Sequence, residues 1–300
     1  MDLSTDRRAL AAAVTTVVLW ASAFVAIRAA GEYFTPGALA LGRLASGALA
    51  LLAVLAVRRE GLPKRQAWPG IVASGVLWFG AYMVVLNWGE QLVDAGTAAM
   101  LVNIGPILIA LLGGRLLREG FPKRLLAGLA VSFAGAVVVG LSMSGQGNAP
   151  VLGVLLCVLA AITYAAGVVS QKPALTHASA LQVTTFGCLI GAVACLPFSG
   201  QLLADLATAP APATLAMLYL GVFPTALAFT TWAYALARTT AGKMGSTTYA
   251  VPAVVVLMSW LVLREVPGWW SLVGGALCLA GVAVSRTRPK RDEVLSSQRF

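Results

Sequence analysis

The chain has 300 residues, of which 59% are hydrophobic and only 11% are charged. Because a soluble domain carries about 25% charged residues, this composition excludes a water-soluble globular protein and favours the lipid bilayer as the solvent. The net charge of +10 does not indicate nucleic-acid binding, since the basic residues form short clusters between apolar segments, which is the pattern of cytoplasmic loops.

Ten apolar segments follow one another along the chain, and most have about the 20 residues that a helix needs to cross the hydrocarbon. The first follows Arg7 and Arg8, as the apolar part of a signal peptide would, but it is too long for one and is interpreted as a retained helix. The sequence therefore predicts an all-α membrane protein with ten transmembrane helices. In chain order the segments are 9–30, 37–57, 68–90, 96–117, 124–142, 151–172, 180–197, 213–236, 243–263 and 268–285.

The basic residues orient these segments. With a cytoplasmic N-terminus, 18 of the 21 Lys and Arg residues lie on the cytoplasmic side, while only Arg28 and Arg264 lie outside and Arg43 lies within the second segment. Cytoplasmic loops of membrane proteins carry such an excess of positive charge. The distribution predicts an even number of helices and two cytoplasmic termini.

The two halves of the chain share a spaced pattern, in which a proline precedes a glutamate by 13 residues and two glycines follow after a further 9 and 7. Its two copies are Pro106, Glu119, Gly128 and Gly135, and Pro252, Glu265, Gly274 and Gly281. The pattern predicts two repeats that form one membrane domain, residues 1–148 and residues 149–300, the second with a short basic tail. Each repeat contains five of the ten predicted helices. Because five is an odd number, the second repeat begins on the opposite side of the membrane and is inverted. Secondary transporters use inverted repeats for alternating access around a midplane site.

The repeated motifs resemble the drug/metabolite transporter superfamily, specifically its ten-helix EamA type. The resemblance rests on Trp20-Ala-Ser-Ala-Phe24 and on two matched stretches, Asn103-Ile-Gly-Pro106 with Leu117-Arg-Glu119, and Tyr249-Ala-Val-Pro252 with Leu263-Arg-Glu265. It implies export of small metabolites, often amino acids, across the bacterial inner membrane, and it allows a homodimer. By overall likeness the chain is similar to the YddG-like branch, which exports aromatic and other amino acids.

The same resemblance implies that segments 1, 3, 4, 6, 8 and 9 line a central cavity, so their polar and aromatic residues are candidates for substrate binding. Trp78 and Tyr82 are spaced four residues apart and share a helix face, although a packing stripe or a lipid-facing pair has the same spacing. Trp20 with Tyr164, and Asn103 with Tyr249, occupy matching positions in the two halves. The candidate substrate-binding residues are Trp20, Trp78, Tyr82, Asn103, Tyr164, Trp232 and Tyr249.

Five further residues are candidates for hinges or gates. A proline removes a helical hydrogen bond, so Pro106, Pro224 and Pro252 predict bends, which serve either a substrate site or a hinge without ligand contact. Glu119 and Glu265 each follow an arginine at the end of a segment, and we interpret them as helix caps or ion-pair anchors of the gates.

The remaining charges within or beside the segments have plainer interpretations. Arg43 lies about 9 Å from the outer end of its segment, so we expect a structural anchor that reaches the interface. Glu90 and Asp94 close the third segment and are expected in a solvated loop. Since the eleven acids all lie in loops, tails or helix ends, the sequence favours transport without a buried proton-coupling carboxylate.

The composition argues against enzyme, metal and cofactor chemistry. The four cysteines lie in apolar segments without a CxxC pair, and the single histidine, His177, lies in a loop. The sequence thus predicts a secondary transporter that exports small metabolites, with amino acids, aromatic and other neutral, as the expected cargo. A multidrug exporter of aromatic cations is the alternative.

Overall fold

A computed structural model describes residues 7–116, 123–143, 148–238, 241, 244 and 246–286. Its regular structure is helical, with no strand in these ranges. The α-helices are α1 Arg7–Ala30, α2 Pro36–Val57, α3 Trp68–Ser74, α4 Tyr82–Leu92, α5 Ala95–Val102, α6 Gly105–Leu116, α7 Lys123–Met143, α8 Asn148–Ala174, α9 Ala180–Ala194, α10 Ser199–Thr208, α11 Ala211–Leu220, α12 Ala228–Ala237, α13 Val251–Leu263 and α14 Trp269–Arg286. Short 3-10 helices are Arg65–Ala67, Leu196–Phe198 and Ser246–Ala250.

Six of the helical stretches are long and apolar enough to cross a membrane: Arg8–Ala30, Pro36–Val57, Arg65–Leu92, Ala95–Arg115, Pro150–Ala174 and Ala211–Ala237. Helices α9 and α10, bent by 53° at their junction, form a seventh if they are one span. Shorter apolar helices lie in the three remaining predicted segments: Ala130–Val139, Val251–Leu263 and Trp269–Gly281. The all-α membrane fold is confirmed, whereas ten crossings and inverted repeats stay predictions.

Hydrogen bonds between a loop and a helix mark the two ends of the helix bundle. At the end where α1 finishes, which we call the Arg28 end, the backbone N–H of Thr35 donates to Asp205 Oδ2 over 2.8 Å. At the opposite end, the Arg58 end, Gln182 Nε2 donates to the carbonyl oxygen of Gly61 over 2.8 Å. The predicted orientation makes the Arg58 end cytoplasmic.

Helices α7 and α14 pack against each other through the four glycines of the repeated pattern. A methyl group added at Gly135 would collide with the carbonyl oxygen of Gly274, and one added at Gly281 would collide with that of Gly128. Small residues allow membrane helices to approach this closely. The glycines of the repeated pattern therefore permit the close contact of α7 with α14.

Two helices break at the prolines that the sequence singled out. Between α5 and α6 the α-helix is interrupted at residues 103–104, and Pro106 stands in the first turn of α6. In the second half the 3-10 helix Ser246–Ala250 precedes α13, and Pro252 stands in its first turn. Proline is tolerated there because the first N–H groups of a helix have no helical acceptor.

Two π-helical segments, which sequence reasoning missed, lie at matching positions of the two halves. Gly75–Ala81 joins α3 to α4, and Gly221–Leu227, which contains Pro224, joins α11 to α12. Single π-helical turns occur frequently at functional sites, because they offset the side chains that follow. Both segments lead directly into helices that carry candidate site residues.

Candidate functional site

Aromatic side chains from α1, α4, α8, α12 and the first π-helical segment meet inside the bundle. The centre of the Trp20 ring lies 4.8 Å from that of Trp232 and 5.9 Å from that of Trp78. Trp78 in turn lies 5.4 Å from Tyr164 and 4.6 Å from Phe229. The contacts are tilted or edge-on, the arrangements that aromatic quadrupoles favour. The central aromatic cluster consists of Trp20, Trp78, Tyr82, Tyr164, Phe229 and Trp232.

The cluster unites five of the seven predicted substrate-binding residues. Phe229 was missed, although its position three residues before Trp232 on one helix face could have indicated it. Glycines make room for these rings: a methyl group at Gly167 would collide with Trp78, and one at Gly105 would collide with Tyr164. The glycines thus let α8 approach the π-helical segment and α6 closely enough for the rings to meet.

A narrow cavity extends from the cluster towards the Arg28 end. Its wall contains Trp20, Trp78, Tyr82, Asn103, Tyr164, Phe229 and Thr248, together with apolar side chains that include Ile27, Leu86 and Val102. The empty space between the lining residues, including the mouth of the cavity, is about 550 Å³. Only about 50 Å³ of this space can be occupied by the centre of a water-sized sphere. Since a water needs about 10–15 Å³ by this measure, the cavity has room for only a few waters, and its walls must separate to admit a metabolite.

Three N–H groups of candidate residues are buried and have no hydrogen-bond acceptor among the described residues. They are Nε1 of Trp20, Nε1 of Trp232 and Nδ2 of Asn103. Oδ1 of Asn103, in contrast, accepts a long hydrogen bond of 3.4 Å from Thr248 Oγ1. Buried polar groups are normally paired, and leaving one unpaired costs about 1–3 kcal/mol. Trp20 and Asn103 therefore offer the cavity two donors that suit an acceptor on a ligand.

The breaks at the prolines also face this cavity. Pro106 has no N–H to donate to the carbonyl of Val102, its helical partner four residues earlier, and Val102 lines the cavity. In the second half Thr248 holds the same position relative to Pro252 and also lines the cavity. Tyr249 lies in the adjoining 3-10 helix, and its side chain is outside the described residues.

An ion pair lies just beyond the cavity at the Arg28 end. Arg28 follows the cavity-lining Ile27, and its Nε donates to Glu265 Oε1 over 3.0 Å. Arg28 Nη1 also donates to the carbonyl oxygen of Glu90 over 3.3 Å. Glu265 was predicted to be either a helix cap or an ion-pair anchor, and it forms an ion pair. This ion pair links α1 to the connection between α13 and α14. Its predicted repeat mate Glu119 lies outside the described residues.

Arg43 does not reach the interface, contrary to the sequence-based expectation. Its side chain is 3% exposed, and Nε and Nη2 both donate to Oγ1 of Thr225, over 3.3 and 3.2 Å. Nη1 has no acceptor in the described part of the chain. The π-helical segment Gly221–Leu227 packs on α2 and covers the guanidinium, which the sequence of α2 alone does not reveal.

Glu90 is buried as well, so the expectation of a solvated loop is wrong for it. Its side chain is 0% exposed, and neither carboxylate oxygen accepts a hydrogen bond from the residues that the structure describes. Its neighbour in the prediction, Asp94, instead caps α5 by accepting from the N–H of Thr97 over 2.8 Å. One of the eleven acids is therefore enclosed by the bundle.

A second, larger space near the Arg58 end is a groove on the outer surface of the bundle. The centre of a water-sized sphere can occupy about 470 Å³ of it. The groove is lined by side chains from the second π-helical segment and from α1, α2, α9 and α12. Val54, Val222 and Leu227 on its wall are large apolar side chains exposed on that surface. Because a surface with exposed apolar side chains suits contact with lipid, we do not place the substrate site in this groove.

Comparison with known proteins decides the family. The sequence profile of the EamA-like transporter family matches residues 7–141 and, again, residues 151–287. The chain belongs to the EamA-like transporter family. Two relatives of this EamA-like chain are a "Probable terminal-alkyne amino-acid exporter" from Streptantibioticus cattleyicolor, 38% identical over 95% of this chain and 96% of the relative, and "Uncharacterized transporter YdfC" from Bacillus subtilis, 33% identical over 88% and 86%.

A solved crystal structure shares the fold of this EamA-like chain, with a TM-score of 0.65 and 23% identity over 93% of this chain and 97% of that one. The protein is a multi-pass membrane transporter and not an enzyme, as the sequence predicted. Its partners are a small-molecule substrate and the lipid bilayer. The YddG-like branch stays a prediction.

Proposed function

We propose that the protein exports amino acids, aromatic and other neutral ones, from the cytoplasm across the inner membrane, with both termini cytoplasmic. The observation that carries the proposal is a cavity with an aromatic wall, lined by Trp20 and Asn103, whose buried N–H groups have no acceptor among the described residues. The relative from Streptantibioticus cattleyicolor, which is named as a probable terminal-alkyne amino-acid exporter, supports this substrate class.

The groups of the cavity match those of a zwitterion. The substrate carboxylate would accept hydrogen bonds from Trp20 Nε1 and Asn103 Nδ2. The substrate ammonium group would donate to the carbonyl of Val102, to which Pro106 has no N–H to donate. Hydrogen bonds to a charged group contribute about 1.5–3 kcal/mol each, enough to select molecules that carry a carboxylate. The substrate side chain would lie on the faces of the central aromatic cluster.

Alternating access would open the cavity to each side in turn. The Arg28–Glu265 ion pair would close the Arg28 end, and Glu119 would have the matching role at the other end. The breaks at Pro106 and Pro252, with the π-helical segment around Pro224, would act as hinges between the inverted repeats 1–148 and 149–300. We also propose that the protein can form a homodimer, and the support for this is the family resemblance alone.

A multidrug exporter of aromatic cations would need a cavity with different lining residues. Aromatic faces attract cations, but such a site also gains from a carboxylate, and the described lining residues include no acid. The unpaired groups of Trp20 and Asn103 are donors, which repel a cation.

The test is exchange in proteoliposomes that contain the purified protein. Labelled phenylalanine outside should exchange for unlabelled phenylalanine inside, and neutral amino acids should compete with it. Phenylalanine amide, which lacks the carboxylate, should compete poorly, and tetraphenylphosphonium should not be carried. Transport of tetraphenylphosphonium without amino-acid exchange would refute the proposal and support the cation exporter.

A further inference from the structure

Three buried oxygen atoms on one face of α4 accept no hydrogen bond from any described residue. They are Oε1 and Oε2 of Glu90 and Oδ1 of Asn87, and both side chains are 0% exposed. The two residues are three apart, so their side chains are neighbours on the helix surface. Asn87 is held in place because its Nδ2 donates to the carbonyl oxygen of Pro36 over 3.1 Å. The oxygen atoms therefore form a buried acceptor site to which no described residue donates.

The basic groups around Glu90 do not form an ion pair with it. Arg28 gives its Nε to Glu265, and Arg43 gives its Nε and Nη2 to Thr225. The one ion pair among the described residues is that between Arg28 and Glu265. The ionisable groups near enough to act on the Glu90 carboxylate are Arg28 of α1, Arg43 of α2, Tyr82 of α4, Cys157 of α8 and Glu265 after α13.

A buried carboxylate without a partner is costly, because removing an isolated charge from water is not repaid by any contact. Ionisable groups inside membrane proteins mark ion and proton pathways for this reason. A proton is the ligand that suits the geometry: it would convert one Glu90 oxygen into a hydroxyl donor, and Asn87 Oδ1 is an acceptor one turn away. A metal ion suits it less, since no group of three or more His, Cys, Asp or Glu side chains lies together in the described ranges.

We propose that Glu90 is a proton-binding site that couples substrate export to proton movement in the opposite direction. The proposal rests on the transport function proposed above, and it replaces the expectation of transport without a buried carboxylate. One proton adds to one carboxylate oxygen and leaves from it again, and no other bond changes.

Helix α4 connects this site to the cavity. Tyr82 and Leu86 line the cavity, and Glu90 lies one turn beyond Leu86, where Arg28 Nη1 contacts its backbone carbonyl. A displacement of α4 that widens the cavity for substrate must also move Glu90 relative to Arg28 and admit water to its carboxyl group. Substrate entry and proton release would thus be two results of one movement.

The first test needs no substrate and uses the full chain reconstituted in liposomes. Glu90→Gln is the neutral isostere of the protonated side chain, and Glu32→Gln is the matched control, since Glu32 is an exposed acid near the same end. Infrared spectra across a pH series should contain a protonated-carboxyl C=O band in wild type and in E32Q that E90Q lacks. Identical carboxyl bands in wild type and E90Q at every pH would overturn the proposal.

The second test measures transport with an acidic liposome interior. Wild type and E32Q should accumulate labelled phenylalanine against its gradient, whereas E90Q should lose accumulation but retain exchange at equal pH. Accumulation by E90Q, loss of its exchange, or accumulation in wild type driven by a sodium gradient in place of the pH gradient would each overturn the proposal. If wild type moves no amino acid at all, the proposed substrate class fails, while the infrared test still decides whether Glu90 binds a proton.

Discussion

The indole N–H of Trp20 is the group whose removal tests the site most directly. The substitution Trp20→Phe deletes this donor and keeps an aromatic ring against Trp232 and Phe229, whose centres lie 4.8 and 5.4 Å from that of Trp20. One hydrogen bond to a carboxylate contributes about 1.5–3 kcal/mol, and each 1.4 kcal/mol is about a factor of ten in affinity. We expect the apparent affinity for phenylalanine to fall about ten- to hundredfold.

The assay separates the lost hydrogen bond from the changed packing by comparing two ligands. Affinities of phenylalanine and phenylalanine amide are measured for wild type and W20F by competition in the exchange assay. The amide lacks the carboxylate, so W20F should weaken it much less than it weakens the acid. Trp68→Phe is the matched control, because Trp68 packs on Phe186 and does not line the cavity. Equal losses for acid and amide would show that the ring, and not its N–H, binds the substrate.

Two further variants test packing and gating. Gly274→Val should destabilise the protein by about 1–3 kcal/mol, since its side chain would overpack the contact of α14 with α7, whereas Gly268→Ala, which meets open space, should leave the melting temperature in detergent unchanged. Glu265→Gln should change stability by less than about 1 kcal/mol, because the ion pair that it breaks is partly exposed. The same variant should open the Arg28 end, so a cysteine introduced at Leu86 should react faster with an impermeant maleimide; an unchanged rate would exclude the ion pair as a gate.

Much of the fold and part of the site follow from the one-dimensional pattern. The ten apolar segments each contain a helix, because bilayer depth dictates a run of apolar residues that sequence displays directly. Five residues of the central aromatic cluster could be predicted from the sequence, because Trp and Tyr are enriched at the membrane interfaces and uncommon in the middle of a span. They are Trp20, Trp78, Tyr82, Tyr164 and Trp232. Phe229 is an ordinary apolar side chain, and its only signal in the sequence is the weaker one of standing three residues before Trp232 on the same helix face.

The charged residues show where sequence reasoning fails. Glu90 and Arg43 lie near segment ends, where exposure is the natural expectation, and hydropathy alone cannot tell which side of a helix is covered. For Arg43 the cover comes from Thr225, 182 residues away in the chain. The two π-helical segments were equally hidden, because a single widened turn leaves no mark on the apolar pattern.

By itself the sequence determined the helical membrane architecture, the spaced pattern of the two halves and the family, since these depend on local composition and on periodicity along the chain. The tertiary structure decided which side chains meet: the aromatic cluster, the N–H donors of Trp20 and Asn103, and the enclosed carboxylate of Glu90. Burial and pairing are properties of contacts between distant elements, and a carboxylate two residues from a helix end is a surface charge or an internal one according to what packs against it.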